Sequence, residues 1–228
     1  MEKKNKKLWN EFYDDGSYAM KFPGESEIKF FGRIVKNESL IGKKALDFGC
    51  GIGRDLIFMN KLGLKTYGVD ISKIAIEKAY NNLFNHGYDT NVQVFDGKKI
   101  PFDDNFFDFI ISFGVLDHML FNNAKELIKE LKRVLKPSGL MLIVIHSYFD
   151  SSYGRGEKID DNTFIINFGD VELGLPQHYF TEKEIDELII DFKLERISLH
   201  EDKTLETELL FTVKKDSLWE LYLRKHGV

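Results

Sequence analysis

The sequence predicts a doubly wound α/β fold, a mainly parallel sheet with helices on both faces. Three observations predict it. Strand-like and helix-like segments alternate up to about residue 146. The segment 107–115 is apolar on both faces, as a strand covered by helices must be. A glycine cluster follows the first strand directly, and the second strand ends in a carboxylate, Asp70.

Residues 3–15 and 25–37 have helical character, separated by a loop through Gly16-Ser17-Tyr18 and Pro23-Gly24. Residues 45–48 make a short apolar strand. Leu56, Ile57, Met59 and Leu62 then recur at helical spacing, and Gly63 closes that helix. A second strand spans 66–69. Ser72 caps the next helix, which runs to about Asn85 before His86-Gly87. Residues 92–95 are a third strand and 107–115 a fourth. Leu127, Ile128, Leu131, Val134 and Leu135 line one stripe of a helix over 123–136, stopped by Lys136-Pro137-Ser138-Gly139. A fifth strand covers 140–145.

Residues 147–180 break the alternation. They are rich in Ser, Gly, Asp and aromatics and too long for an ordinary connection. Thr181-x-x-Glu184 is a capping box for a helix carrying Ile185, Leu188, Ile189 and Phe192. Strands at 194–200 and 207–214 are expected to pair antiparallel across 202–206. A final helix is expected at about 216–225.

Composition narrows the class. With 228 residues and 43% hydrophobic content, one core over 1–228 is expected rather than two. The net charge of −5 argues against a nucleic-acid partner, since phosphate binding needs a basic face. The one basic run, Lys3, Lys4, Lys6 and Lys7, reads as a solvated helix face. A single cysteine, Cys50, makes an internal disulfide impossible and suits a reducing compartment. No second cysteine or nearby histidine supports a metal site. No apolar signal region follows Met1-Glu2-Lys3-Lys4, and no run approaches the ~18 apolar residues of a membrane span. A cytoplasmic protein without a membrane partner is expected.

The segment Asp47-x-Gly49-x-Gly51-x-Gly53-Arg54 carries the strongest chemical signal. Glycines permit a tight turn after a strand and close approach to a ligand, and the next helix offers free N–H groups. Asp70, 21 residues after Gly49, can accept both hydroxyls of a ribose. A dinucleotide fingerprint starting at Gly49 would need its third glycine at position 54, which is Arg54. A ligand without a pyrophosphate is therefore favoured over a nicotinamide cofactor.

These motifs resemble those of the class I S-adenosylmethionine methyltransferases. Asp47 to Gly53 is similar to their first motif and Val69-Asp70-Ile71-Ser72 to their second. Phe95-Asp96-Gly97 is similar to the third. Residues 109–118 resemble the fourth, and Leu131-x-x-Val134-Leu135-Lys136-Pro137-x-Gly139 the stretch before strand five. The resemblance is close over about 40–146. It implies a Rossmann-like seven-stranded sheet, its seventh strand antiparallel between strands five and six, with N-terminal helices and an insertion after strand five. It implies S-adenosyl-L-methionine as methyl donor and S-adenosyl-L-homocysteine as product, while the 147–180 insertion points to a covered pocket for a small-molecule acceptor. The resemblance also implies donor contacts from Asp47, Gly49, Cys50, Gly51, Gly53, Arg54, Asp70, Ile71, Asp96, Gly97 and Phe113. The DNA and RNA amino-methylating enzymes of this fold carry Asn/Asp-Pro-Pro-aromatic after strand four, where this chain has Phe113-Gly114-Val115-Leu116-Asp117. Trp9-x-x-x-Tyr13, Gly51-x-Gly53-Arg54, Phe164 to Phe168 and Gly174-Leu175-Pro176-x-His178-Tyr179-Phe180-Thr181 resemble methyltransferases of bacterial surface-polysaccharide gene clusters, which implies a sugar or nucleotide-linked acceptor.

An alcohol acceptor gains from a general base, whereas a carboxylate or phosphate oxygen needs none. His118, beside Asp117 after strand four, is the first candidate for that base and His146, ending strand five, the second. His178 and Tyr179 are placed to reach over the acceptor or to pack. Arg155 can clamp an anion or simply be exposed. Tyr13 and Tyr18 belong to an N-terminal lid, 1–39, and 147–180 is expected to cover the substrate. Two other readings stay open: a nicotinamide-dependent oxidoreductase, and a non-catalytic scaffold, against which intact Gly49, Gly51, Gly53 and Asp70 argue.

Overall fold

The computed structural model describes residues 2–16, 22–89, 91–169, 172–206 and 212–227. In chain order its helices are α1 (Glu2–Asp15), α2 (Glu25–Ile34), α3 (Arg54–Lys61), α4 (Lys73–Asn85), α5 (Phe121–Val134) and α6 (Glu182–Ile189). Its strands are β1 (Lys44–Phe48), β2 (Lys65–Asp70), β3 (Asn91–Val94), β4 (Phe107–Phe113), β5 (Leu135–His146), β6 (Glu157–Asp160), β7 (Thr163–Ile165), β8 (Pro176–His178), β9 (Phe192–Glu206) and β10 (Thr212–Lys225). A 3-10 turn, Leu116–His118, follows β4.

Seven strands pair in the order β3-β2-β1-β4-β5-β10-β9. The first five are parallel, and β10 runs antiparallel between β5 and β9. This is the doubly wound sheet the sequence predicts, with the hairpin end that the resemblance implies.

Alternation along the central strands assigns each side chain to one of two cores. Leu142 and Val144 of β5 join Phe30 and Phe31 of α2 and Leu56 and Met59 of α3. Met141, Ile143 and Ile145 join the α5 stripe Leu127, Ile128, Leu131 and Val134 on the opposite face. Leu131 is wholly buried, so truncating it to alanine costs ~2–5 kcal/mol in lost contacts and cavity.

Two expectations about elements are corrected. Residues 216–225 are not a helix but part of β10. There Trp219, Leu221 and Leu223 pack with the α5 side while Tyr222 packs on the other, so the period is 2 and not 3.6. The segment 202–206 is not a turn but the end of β9, where Glu206 pairs with Thr212. The first part of the strand expected at 207–214 lies outside the described residues.

β5 also begins earlier than expected. The β4 register jumps from Phe107↔Leu135 to Phe109↔Leu140, and Ser138, at φ 62°, turns the backbone inside that irregularity. The insertion contains a small antiparallel sheet, β6-β7-β8. Asp150 pins it, its Oδ2 accepting the Ser217 N–H at 2.8 Å. α6 begins at the expected capping box. Thr181 accepts from the Glu184 N–H at 3.3 Å, and Glu184 accepts from the Thr181 N–H at 2.9 Å.

Candidate active site

The chain turns at the end of β1 through Gly49 (φ 82°), Gly51 (φ 50°) and Gly53 (φ 85°). The left-handed region is costly for any residue with a Cβ. Space adds to the requirement: a Cβ on Gly49 would strike Val115 Cγ2, and one on Gly51 would lie 2.7 Å from the Tyr13 hydroxyl. Gly53 ends the turn and opens α3. Cys50 is buried within it, and burial pushes its thiol well up, which suits a small packing side chain rather than a nucleophile.

Asp70 ends β2 against this turn. Its Oδ2 accepts the Gly51 N–H at 2.9 Å and its Oδ1 the Ser72 N–H at 2.8 Å. Burial pushes its pKa up to about 6 against those hydrogen bonds. Each oxygen keeps a second lone pair, so the carboxylate holds the loop in shape and can still accept from a ligand.

These elements wall a cavity of about 430 Å³, within the ~300–1,000 Å³ typical of small-molecule sites. Asp47, Phe48, Gly49, Cys50, Gly51, Arg54, Asp70, Ile71, Gly97 and Phe113 line it, as does His118. The sequence reading singled out Tyr13 as a lid residue, and α1 brings it to the wall together with Asn5 and Trp9. Trp9 stacks on Tyr13 at 5.8 Å and meets the His118 ring edge-on at 5.1 Å. Asn10 ties α1 down by accepting the Ser72 hydroxyl at 2.7 Å.

One end of the cavity is rich in buried carboxylates. Arg54 lies 2.6 Å from Asp55 and 3.5 Å from Glu27, with its guanidinium 5.7 Å from the Phe113 ring centre. Burial raises Asp47 well above the carboxylate range, raises Asp55, and takes Glu27 to about 7. Asp47 Oδ2, Asp55 Oδ1 and Glu27 Oε2 have no hydrogen-bond partner. Of the three, Asp47 and Asp55 line the cavity, and their unpartnered oxygens leave an acceptor surplus that a cationic, proton-donating ligand group would satisfy. Neither Glu27 nor Asp55 is signalled by a motif: Glu27 lies 27 residues from Arg54, and Asp55, next to Arg54 in the chain, falls just past the glycine turn.

Asp96, just past β3, is exposed. Its carboxylate accepts the Lys98 and Lys99 N–H groups at 2.9 and 3.3 Å and closes its own exposed turn. Its neighbours Phe95, Gly97 and Lys98 line the cavity, but it does not.

His118 is buried, with Nδ1 3.0 Å from the Pro176 carbonyl and Nε2 3.6 Å from Glu172. The carbonyl requires Nδ1 to carry a hydrogen, and the Glu172 carboxylate faces Nε2 and favours its protonation. Burial favours the neutral form, yet the Glu172 charge, with help from Asp117 and the carbonyl, takes the pKa to about 9. With its pKa raised and its Nδ1 hydrogen on the Pro176 carbonyl, His118 is less suited to the expected base role than a ring with an open nitrogen. His146 differs, donating Nδ1–H to Asp117 Oδ2 at 2.6 Å on a ring still 30% exposed.

The remaining candidates separate. His178 is wholly buried, its Nδ1 2.7 Å from the Thr163 hydroxyl, its Nε2 3.4 Å from Glu184, and its ring against Phe121 and Phe180. It is a packing residue between the insertion and α6, a correction to the substrate role. Tyr179 is 1% exposed, with its hydroxyl 2.8 Å from that of Ser152 and its ring 6.1 Å from His146. Arg155 is exposed and lies 4.2 Å over the Phe168 ring. Tyr18 falls outside the described residues.

The methyltransferase domain family matches residues 46–143. Over 135 residues the chain is 30% identical to the chloroplastic tocopherol O-methyltransferase of Arabidopsis thaliana, covering 58% of this chain and 38% of that one. It is 23% identical to a tRNA N(3)-methylcytidine methyltransferase of Drosophila melanogaster, covering 93% of this chain and 69% of that one. The chain spans less than half the length of several curated relatives it matches. A solved S-adenosylmethionine-dependent methyltransferase of Methanosarcina mazei superposes with a TM-score of 0.70 at 24% identity, covering 86% of this chain and 98% of that one. Among the described residues no helix is long and apolar enough to cross a membrane. The glycine turn, the acid ending β2 and the antiparallel β10 thus sit on a seven-stranded sheet of the class I methyltransferase fold, within which residues 46–143 match the methyltransferase domain family.

Proposed function

We propose that this chain is an S-adenosylmethionine-dependent methyltransferase acting on a small-molecule acceptor. The observation that carries the reading is the cavity itself, with a glycine turn at its floor, Asp70 at one wall and an acceptor surplus at one end. In this reading the unpartnered oxygens of Asp47 and its neighbours take the donor's ammonium. Asp70 takes the ribose hydroxyls, and Phe95, Gly97 and Lys98 flank the base. When bound, the donor supplies an activated methyl group on a sulfonium. The chain aligns the acceptor and excludes water, which provides much of the rate. α1 acts as a lid through Trp9 and Tyr13, with Tyr18 assigned to it from sequence alone. Residues 147–180 cover the acceptor, and Arg155 and Tyr179 belong to that side. The whole of 1–228 works as one domain.

The narrower assignment is a sugar or nucleotide-linked acceptor of surface-polysaccharide synthesis, and it rests on the sequence resemblance of the aromatic segments. A tRNA acceptor, as in the Drosophila relative, is disfavoured by the net charge of −5. Calorimetric titration with S-adenosylhomocysteine, with NADH as comparison, tests the reading. Micromolar binding of the first and none of the second is expected. The reverse result selects the oxidoreductase, and methyl transfer from labelled donor excludes a scaffold.

A further inference from the structure

Beside the cavity wall lies an arrangement that donor binding does not use. Asp117 is wholly buried, and its Oδ2 accepts both the His146 ring Nδ1–H at 2.6 Å and the His146 backbone N–H at 3.1 Å. A carboxylate that only accepts fixes the tautomer, so Nδ1 carries the hydrogen and Nε2 keeps its lone pair. Among the described residues nothing bonds Nε2. His118, adjacent to Asp117 in the chain, is the opposite case, with Nδ1 donating to the Pro176 carbonyl and Nε2 facing the Glu172 carboxylate at 3.6 Å. His118 lines the cavity, while the His146 ring, held by Asp117 next to it in the chain, meets the Tyr179 ring of the insertion edge-on at 6.1 Å.

We infer that His146 is the general base of this enzyme and Asp117 its positioning residue, so that the acceptor reacts through a hydroxyl that must lose its proton. The inference rests on the methyltransferase reading and deepens it. The acceptor O–H proton passes to His146 Nε2. The freed oxygen pair forms the new O–CH₃ bond, and the S–CH₃ bonding pair stays on sulfur as the thioether of the product. The imidazolium then releases its proton to water at the exposed ring edge. Anionic acceptors, carboxylate or phosphate oxygens, would need no such dyad.

The charged and titratable groups around His146 are Asp117 from the 3-10 turn, Asp150 and Glu172 from the insertion, and Tyr179 beyond β8. Burial opposes protonation. The Asp117 hydrogen bond and charge outweigh it, Asp150 and Glu172 act in the same direction, and the pKa is raised above 6.5. That makes His146 a stronger base than a free imidazole.

The experiment combines an NMR titration of the histidine Cε1–H resonances with calorimetry and turnover, in the wild type, Asp117→Asn and His146→Gln. The last variant assigns the resonance. The acceptor panel is 4-methylumbelliferone and UDP-glucose, which carry hydroxyls, against benzoate and phenyl phosphate. His146 is expected to titrate above 6.5 and to fall by about one unit or more in Asp117→Asn. S-adenosylhomocysteine affinity should stay within about twofold in both variants. Turnover of a hydroxyl acceptor should rise with pH through the His146 pKa and drop ~10²–10⁴-fold in each variant. A His146 titration unmoved by Asp117→Asn overturns the inference. So does methylation of benzoate or phenyl phosphate with neither hydroxyl compound used. If no panel member reacts, the titration decides. A wild type that binds no S-adenosylhomocysteine sinks the methyltransferase reading separately, whatever the titration gives.

Discussion

Replacing Glu172 with Gln should cost this protein stability in a pH-dependent way. Glu172 lies 3.6 Å from His118 Nε2, and the two side chains are only 17% and 5% exposed. At that separation the contact is an ion pair more than a hydrogen bond. Against burial, Glu172 is the largest of the influences, ahead of Asp117 and the Pro176 carbonyl, that take His118 from 6.5 to about 9. A shift of ~2.5 units corresponds to a ceiling of ~3 kcal/mol, at 1.36 kcal/mol per unit. A folded pKa above the unfolded one places the stabilisation below pH 6.5, and it is lost as pH rises through about 9. Gln keeps the length and the positive-φ backbone of Glu172 but not the charge. In a domain of this size, ~3 kcal/mol is worth ~6–12 °C in Tm. The assay is thermal unfolding by circular dichroism from pH 6 to 10, with the wild-type minus variant difference plotted against pH. Titrations common to both proteins cancel in that difference. The gap should be widest near pH 6 and close above pH 9. A gap that is constant, or that widens with pH, would refute a cationic His118.

Three further outcomes are expected. Asp70→Ala strips the acceptor from the Gly51 and Ser72 N–H groups, at ~1–3 kcal/mol each, and should weaken S-adenosylhomocysteine binding at least ~10-fold. A lowered Tm with unchanged affinity in calorimetry would leave Asp70 only its loop-holding role. Gly49→Ala forces a Cβ onto Val115 at a φ of 82° and should lose ~1–3 kcal/mol together with ligand binding, part of which Val115→Ala restores; denaturant unfolding of single and double variants checks this. Thr181→Ala removes the α6 cap and should cost ~1 kcal/mol in the same assay while leaving binding alone.

Local rules determined a great deal here. Alternation of two periods, the capping residues Ser72 and Thr181, and glycines placed where φ is positive are all properties of a few adjacent residues. They made the parallel sheet, the starts of α4 and α6 and the Gly49–Gly53 turn readable from the chain. The end of β10 was readable in principle, since Trp219, Leu221 and Leu223 alternate, but its charged tail suggests an amphipathic helix until β5 and β9 flank it. Tertiary structure alone decided protonation and partnership. Glu27 reaches Arg54, Glu172 meets His118, and Asp117 takes His146 rather than the histidine beside it. A side chain's charge state depends on burial and on neighbours brought from distant parts of the chain. No spacing in the sequence encodes that, and so the different surroundings of His118 and His146 could only be read from the folded molecule.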